Sequence, residues 1–347
     1  MTPRRSYVGF HSGALLGTLA VALLCVIGVQ IVPLRTDAFG TDSADRRAAM
    51  DGLAASDLAE LKLRHAEQTP RYDVGLFGNS RILAVAADDV GLAGKRVFNF
   101  ALSGQSIRQS IVFLEEMAAV ARAPYVAIFS FDNLELQFFA NPVFPGLPSR
   151  TRLGLDDLTL TATIPALTAR DRVRIAWRYG FGEWTLLRSL FSATRLRNRL
   201  AYLFPDPAPT AKYRADGSRA DVTSPGESEP AILTAAGKPG IIPGILGNDL
   251  KRLARLRDAG LRVIVYESPL EPRSAAHFDL HPSSYVAEHR AYFLEACGRL
   301  RLECHVAARL DEGRWDDATH PPPAVLGRYI NSLVQAPPRV QSAANPG

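Results

Sequence analysis

The stretch DVGLFGNSRILAV, residues 73–85, joins a short apolar run to a helix-compatible segment through Gly78, Asn79 and Ser80. A buried strand followed directly by a helix is the repeating unit of a parallel sheet. Gly and Asn are common turn residues and Ser is a common helix cap, so the turn has an ordinary structural explanation. The alternative is that Ser80 is a catalytic nucleophile, because ligands bind outside the carboxyl ends of parallel strands.

Strand-like and helix-like segments alternate along much of the remaining chain. Further apolar runs predict strands at 95–102, 125–131, 261–269 and 302–307. Helical patterns occupy 107–120, 248–260, 283–300 and 322–335. This alternation predicts a parallel sheet covered by helices on both faces, a three-layer α/β/α fold.

The N-terminal region contains an uncharged apolar run at 14–34. At about 1.5 Å per helical residue, it is long enough to cross a hydrocarbon core of about 30 Å. We therefore expect residues 1–35 to form a retained signal anchor, with a cleaved signal peptide as the alternative. Arginines lie on both sides of the run, so the distribution of charge does not set its orientation.

Changes in composition divide the rest of the chain into segments. Residues 36–70 are polar and Ala-rich with helical spacing, and are predicted to form a helical stalk. An α/β domain is expected at 71–336, interrupted at about 135–243 by a mainly helical insertion. The insertion is interpreted as a cap or a partner-binding element. Its basic aromatic part, 171–204, is expected to pack on the parent domain, with the membrane surface as an alternative. Residues 337–347 are predicted to be a disordered tail.

The overall composition limits the possible partners. The chain has 347 residues, is 47% hydrophobic and carries a formal net charge of +5, without a long basic run. This pattern argues against nucleic-acid binding and is compatible with a nearby membrane surface. Cys297 and Cys304 could form a disulfide in an oxidising compartment or remain two buried thiols.

Two other short motifs could supply chemistry beside Ser80. Asp317 and His320 lie three residues apart directly before the last predicted helix, so the carboxylate could orient the imidazole as in a catalytic triad. Asp316 is an alternative partner, and a polar capping loop is the structural alternative. Gly104, in NFALSGQS at 98–106, could bring a backbone N–H close to a ligand or simply form a turn.

Together, FGNSR, NFALSGQS and DATH resemble, in this order, conserved blocks of the SGNH/GDSL hydrolase superfamily. The resemblance covers about 72–134 and 248–336. It implies a flavodoxin-like fold with Ser80 as nucleophile, Gly104 as an oxyanion-hole donor, and Asp317 and His320 as the other catalytic residues. Among its branches, the chain most resembles membrane-anchored, extracytoplasmic proteins associated with acyl groups on cell-surface polysaccharides.

The third block departs from the superfamily pattern. That pattern has Gly-x-Asn, in which the Asn side chain donates to the oxyanion. Here, Asp132 occupies the aligned position and Asn133 follows it. Either Asn133 donates through a shifted loop or the donor is missing, and losing one such donor typically costs about 10²–10³ in rate.

The resemblance implies serine-dependent acyl-ester hydrolysis or O-acyl transfer on an acylated cell-surface polysaccharide or glycan. It also implies a single-pass protein of the inner (plasma) membrane, with its catalytic domain in the periplasm and polysaccharide-modification machinery as a partner. The alternative is a non-catalytic binding or assembly protein in polysaccharide biosynthesis or export. No metal or organic cofactor and no nucleic acid is expected.

Two remaining motifs have simpler structural interpretations. His277 and His281 have the spacing of helical metal ligands, but the sequence predicts a surface loop there without a Glu partner. The segment KYRADGSRAD, 212–221, is interpreted as a turn rather than a sugar contact.

Overall fold

The structure of the protein is a computed structural model. The structure describes residues 4–40, 44–105, 107–131, 192–205, 211–220, 243–279, 285–306, 309–310, 312–315 and 317–338, together with 169, 170, 173 and 232. Most of the predicted insertion and of the predicted disordered tail lies outside the described residues. So do Asp132, Asn133, Asp316 and His281.

The core of the fold is a five-stranded parallel sheet with the strand order β2-β1-β3-β4-β5. Its strands are β1 (Val74–Phe77), β2 (Val97–Asn99), β3 (Val126–Phe131), β4 (Arg262–Glu267) and β5 (Glu303–His305). Nearly every strand residue is buried, as expected for a sheet covered on both faces. The predicted α/β fold with a parallel sheet is therefore confirmed.

Helices flank the sheet in two groups. In chain order they are α1 (Arg4–Ile31), α2 (Ala44–Ala49), α3 (Ala55–Gln68), α4 (Ser80–Leu83), α5 (Ala87–Val90), α6 (Ile107–Ala119), α7 (Ala193–Leu203), α8 (Pro243–Asp258), α9 (Pro272–Asp279), α10 (Tyr285–Leu300) and α11 (Pro323–Gln335). Helix α6 packs against α3 and α8, α8 packs against α10, and α5 packs against α11.

The order in which the chain passes from strand to strand explains why the helices form two groups. The chain moves from β1 outward to β2, then returns past β1 to β3 and continues to β4 and β5. Because parallel crossovers are right-handed, a reversal of direction places the connecting helices on opposite faces of the sheet. The reversal occurs beside β1, so the carboxyl end of β1 is the switch point where ligands bind in open α/β sheets.

The predicted anchor and stalk coincide with the first helices. Residues 1–35 include α1, and a 3₁₀ turn, Thr36–Phe39, follows. Among the residues whose side chains are described, no helix is long and apolar enough to cross a membrane. Within 36–70, α3 packs on α6 and contributes Leu58 and Leu61 to the hydrophobic core, so this part of the expected stalk belongs to the globular body.

Helix α7, which belongs to the predicted insertion, packs on the N-terminal helices. Helix α7 contacts α1 and α2, and its Arg199 and Tyr202 are buried. Arg199 binds the Asp57 carboxylate at 2.6 Å and donates to the Val29 carbonyl at 3.0 Å. These contacts of α7 are with the predicted anchor and the predicted stalk.

Two further sequence predictions concern the C-terminal part of the chain. Cys297 of α10 and Cys304 of β5 form a disulfide with a Cα–Cα distance of 6.2 Å, which is the first of the two alternatives that the sequence left open. The expected loop around His277 is instead helix α9, which was a wrong prediction. Pro272 begins this helix and the Glu271 carboxylate accepts the Ser274 N–H at 3.0 Å, two features that favour a helix start.

Candidate active site

The turn after β1 leaves the Ser80 hydroxyl available for chemistry. Gly78 has a φ of +152°, and a β-carbon there would lie 2.8 Å from Cβ of Ser130. Asn79 is the helix cap, and its Oδ1 accepts the Arg81 N–H at 3.0 Å. Ser80 is therefore the first residue of α4 and not its cap.

The three predicted catalytic residues form one hydrogen-bonded chain. The Oγ atom of Ser80 lies 2.9 Å from Nε2 of His320, although 240 residues separate them. The other ring nitrogen, Nδ1, lies 2.7 Å from Oδ2 of Asp317. An Nδ1–H donated to the carboxylate leaves Nε2 free to accept the serine proton, which is the arrangement that general-base activation requires.

Asp317 is held as a carboxylate by its own loop. Its Oδ1 accepts the Thr319 N–H at 2.6 Å, the Thr319 hydroxyl at 2.8 Å and the His320 N–H at 2.9 Å. Burial alone would raise the pKa of Asp317, but the hydrogen bonds from His320 and Thr319 outweigh it and hold this pKa well below its usual range. The group that orients His320 is therefore ionised at neutral pH.

The Asp317–His320 loop is fixed from two directions. The backbone N–H of Glu271, after β4, donates to the Ala318 carbonyl at 3.0 Å. Helix α11 starts three residues after His320 and packs against α5, which follows Ser80 closely in sequence. The fold thereby brings His320 to Ser80.

Asn99, at the end of β2, supports the nucleophile segment and was given no role from the sequence. It is buried, and its Nδ2 donates to the carbonyls of Ile82 at 2.8 Å, Leu83 at 3.2 Å and Val85 at 2.9 Å. Its Oδ1 accepts the Ala101 N–H at 3.0 Å. A polar amide at the end of an otherwise apolar strand is the sequence signal that could have revealed it.

The predicted oxyanion glycine lies in the turn after β2. Gly104 has a φ of +68°, which favours glycine, and it is exposed. The Leu102 N–H in the same loop donates to the Gly78 carbonyl at 3.1 Å, so this loop runs beside the nucleophile turn. Asn133 and Asp132 lie outside the described residues, and the role of Asn133 stays a prediction.

The segment 212–220 forms a tight hairpin, in agreement with its interpretation as a turn. Tyr213 and Arg219 form an antiparallel bridge, with Gly217 in the turn between them. A β-carbon at Gly217 would lie 2.5 Å from the Asn99 carbonyl oxygen, so the hairpin is in close contact with the end of β2. Among the described residues, no group of three or more His, Cys, Asp or Glu side chains could hold a metal ion.

No protein-family model, curated protein or solved structure matches this chain. The function is therefore inferred from the chemistry of the site. A serine hydroxyl bonded to an imidazole that is itself oriented by an ionised carboxylate has the arrangement of a nucleophilic catalyst.

Proposed function

We propose that this protein is a serine-dependent acyl-ester hydrolase or O-acyltransferase that acts on cell-surface polysaccharide or glycan. The observation that carries the proposal is the distance of 2.9 Å between Ser80 Oγ and His320 Nε2, with Asp317 on the opposite ring nitrogen. The polysaccharide substrate follows from the resemblance of the sequence motifs, which also suggests the SGNH/GDSL superfamily and its flavodoxin-like fold.

The first half-reaction transfers the acyl group to the protein. Ser80 Oγ forms a bond to the ester carbonyl carbon while its proton passes to Nε2 of His320. The tetrahedral intermediate then expels the sugar alcohol, which takes that proton from His320. An acyl-serine remains, and Asp317 stabilises the imidazolium while it exists.

The second half-reaction releases the acyl group to an acceptor. His320 removes a proton from water or from a sugar hydroxyl, and the resulting nucleophile attacks the acyl-serine. Ser80 leaves and recovers its proton from His320. Water as acceptor gives an esterase, and a sugar hydroxyl gives an O-acyltransferase.

Backbone amides are the proposed oxyanion donors. Ser80 is the first residue of α4, so its N–H has no acceptor within that helix. In this proposal it donates to the developing oxyanion together with the Gly104 N–H, and Asn133 supplies a third hydrogen bond. Each such donor is typically worth about 10²–10³ in rate.

Labelling with a fluorophosphonate probe and turnover of a small acyl ester test the chemistry. We expect the wild-type protein to be labelled and active, and Ser80→Ala to lose both properties. Asp317→Asn should reduce turnover by about 10⁴-fold, because an amide facing Nδ1 favours the imidazole tautomer whose Nε2 already carries a proton. Ser332→Ala, an exposed serine on α11, is the matched control and should keep wild-type labelling.

Absence of labelling in the folded wild-type protein would contradict the enzyme proposal. Polysaccharide binding without labelling would instead support the assembly protein considered from the sequence. The proposed location has a separate test: if residues 1–35 anchor the chain and 36–347 lie outside the cytoplasm, a C-terminal alkaline phosphatase fusion is active and a cytoplasmic reporter is silent. The reverse pattern would overturn this topology.

A further inference from the structure

A fully buried lysine lies beneath the proposed oxyanion loop. Lys62 belongs to α3, and its side chain is inaccessible to solvent. Its Nζ donates to three backbone carbonyls, those of Asn99 at 2.8 Å, Ala101 at 2.7 Å and Gly217 at 2.9 Å. An ammonium has three N–H groups, so these three carbonyls satisfy every donor.

The surroundings of Lys62 explain why the three acceptors matter. Burial lowers the pKa of Lys62 to about 7, while the negative charge of Asp216 opposes this shift. The ring of Tyr213 also faces the ammonium, with its centroid 5.9 Å from Nζ. A neutral amine has only two N–H groups and would leave one carbonyl unpaired, so the geometry fits the charged form.

The three carbonyls belong to two different parts of the chain. Asn99 and Ala101 begin the loop that leads to Gly104, whereas Gly217 forms the turn of the hairpin 212–220. Lys62 therefore joins the oxyanion loop to a segment of the insertion.

The hairpin also contacts the nucleophile segment. The Arg219 N–H donates to the Leu83 carbonyl at 3.0 Å, and Leu83 is the last residue of the helix that begins at Ser80. The Asp216 carboxylate accepts the Ala87 N–H at 2.5 Å. The backbone carbonyl of Asp216 accepts the Asn99 N–H at 2.7 Å. These bonds connect the oxyanion loop, the hairpin and the nucleophile helix in one network.

We propose that Lys62 is a positioning residue that holds the loop 99–104 and the hairpin 212–220 in place beside Ser80. Its effect on catalysis rests on the acyl-ester activity proposed above, whereas its effect on the loop does not. The insertion thereby contributes a fixed part of the active-site framework.

Lys62→Met tests this role, because Met has a similar length but no N–H donors. We expect kcat for a small acyl ester to fall about tenfold to a hundredfold with KM changed less than about twofold, since small displacements of catalytic groups cost up to about 10² in rate. Amides of Ala101, Leu102 and Arg219 should exchange hydrogen faster. Amides of β4 should keep their protection. Lys251→Met, an exposed lysine on α8, is the matched control.

Gly217→Ala provides a second variant if loss of the buried charge prevents folding. Its new β-carbon would collide with the Asn99 carbonyl and displace the hairpin while leaving Lys62 unchanged. The same changes in kcat and amide exchange are expected.

Different results would contradict the proposed acyl-ester activity and the proposed role of Lys62. A wild-type protein without turnover would contradict the enzymatic function, but amide exchange would still test the loop. An active wild type whose folded Lys62→Met or Gly217→Ala variant keeps its kcat and its amide protection would overturn the role of Lys62.

Discussion

Gly327 in α11 lies against the backbone of Asp89 in α5 so closely that a β-carbon at position 327 would come within 3.0 Å of the Asp89 carbonyl group. Asn331, one turn later, donates to the Val90 carbonyl at 2.6 Å. Helix α11 follows His320 and α5 follows Ser80, so this contact between two helices helps to set the distance between His320 and Ser80.

Gly327→Ala should separate these two helices. The rigid backbone of α5 cannot move aside as a flexible side chain would, so we expect a loss of about 1–3 kcal/mol in the free energy of unfolding. Displacement of His320 should reduce kcat/KM for an acyl ester by about tenfold to a hundredfold. Urea denaturation and steady-state kinetics measure the two effects.

Arg328→Ala is the control for this substitution, because Arg328 is exposed on the same helix and pairs only with the exposed Glu312 among the described residues. It should leave the free energy of unfolding and turnover almost unchanged. If Gly327→Ala behaves like this control, the close contact between α5 and α11 does not control the site.

Asn99→Asp replaces the amide donor by an oxygen of nearly the same shape. The carbonyls of Ile82, Leu83 and Val85 would then face a carboxylate oxygen in a buried position. We expect a loss of about 3 kcal/mol in the free energy of unfolding, because a buried unpaired charge costs more than an unpaired neutral group. Turnover should fall as well, since these carbonyls belong to the segment that begins at Ser80.

Asn198→Asp tests whether an Asn→Asp substitution at another half-buried position causes the same losses of stability and turnover. Asn198 lies on α7 and donates to the carbonyl of Gly52. Its substitution should cost clearly less than that of Asn99 and leave turnover unchanged. Equal losses in the two variants would mean that Asn99 has no special role in the active site.

The sequence predicted the sheet because strands follow local apolar patterns. It predicted the Ser80–His320–Asp317 arrangement because three short motifs together resemble the blocks of a known superfamily. Apolar runs predicted all five strands, and the motifs carrying the proposed catalytic residues lie after strands or before helices, at one edge of the sheet. Because the strands are parallel, their carboxyl ends lie along the same edge of the sheet. Residues at those ends are therefore close in space even when they are far apart in sequence.

The supporting residues could not be predicted in the same way, because their partners are backbone carbonyls of distant segments. Lys62 shares the buried face of α3 with Leu58 and Leu61, an apolar stripe that signals a buried lysine but not its acceptors. The hairpin 212–220 has ordinary turn chemistry, and only the tertiary structure places it beside Asn99.

The exit of α1 is attached to the globular body through a buried ion pair. Asp57 of α3 accepts hydrogen bonds at 2.6 Å from both Arg199 and Arg195 of α7. Arg199 also donates to the carbonyls of Val29 and Val32 at the end of α1. A cation at the C-terminus of a helix satisfies carbonyls that have no partner within the helix.

Arg199→Ala should therefore loosen α1 and lower the free energy of unfolding of the full chain by about 3 kcal/mol. This value lies at the low end for breaking a buried pair, because Arg195 still neutralises Asp57. Limited proteolysis should show faster cleavage at 32–40. Arg197→Ala, an exposed arginine on the same helix, should behave as wild type, and identical cleavage of both variants would contradict this attachment.

A half-buried histidine should make the protein sensitive to acid. His65 of α3 packs against Phe39 with a centroid distance of 4.7 Å, and its Nε2 lies 2.7 Å from the Tyr72 hydroxyl. Burial, together with the positive charge of Arg96, lowers the pKa of His65 to about 4. The site therefore holds a neutral imidazole at neutral pH.

The sign of the pH dependence follows from proton binding by the two states. An unfolded His has a pKa of about 6.5, so between about pH 6.5 and pH 4 the unfolded chain binds more protons than the folded one. Stability is consequently lost as the pH falls through this window, and His65→Gln should remove that loss.

The free energies of unfolding of variant and wild type, measured in urea, should differ by a constant amount between pH 7 and pH 8. At pH 4.5 that difference should shift in favour of the variant by about 1–2 kcal/mol, a value reduced for the partial exposure of the ring. Parallel curves from pH 7 to pH 4.5 would show that His65 is protonated as readily in the folded protein as in the unfolded chain.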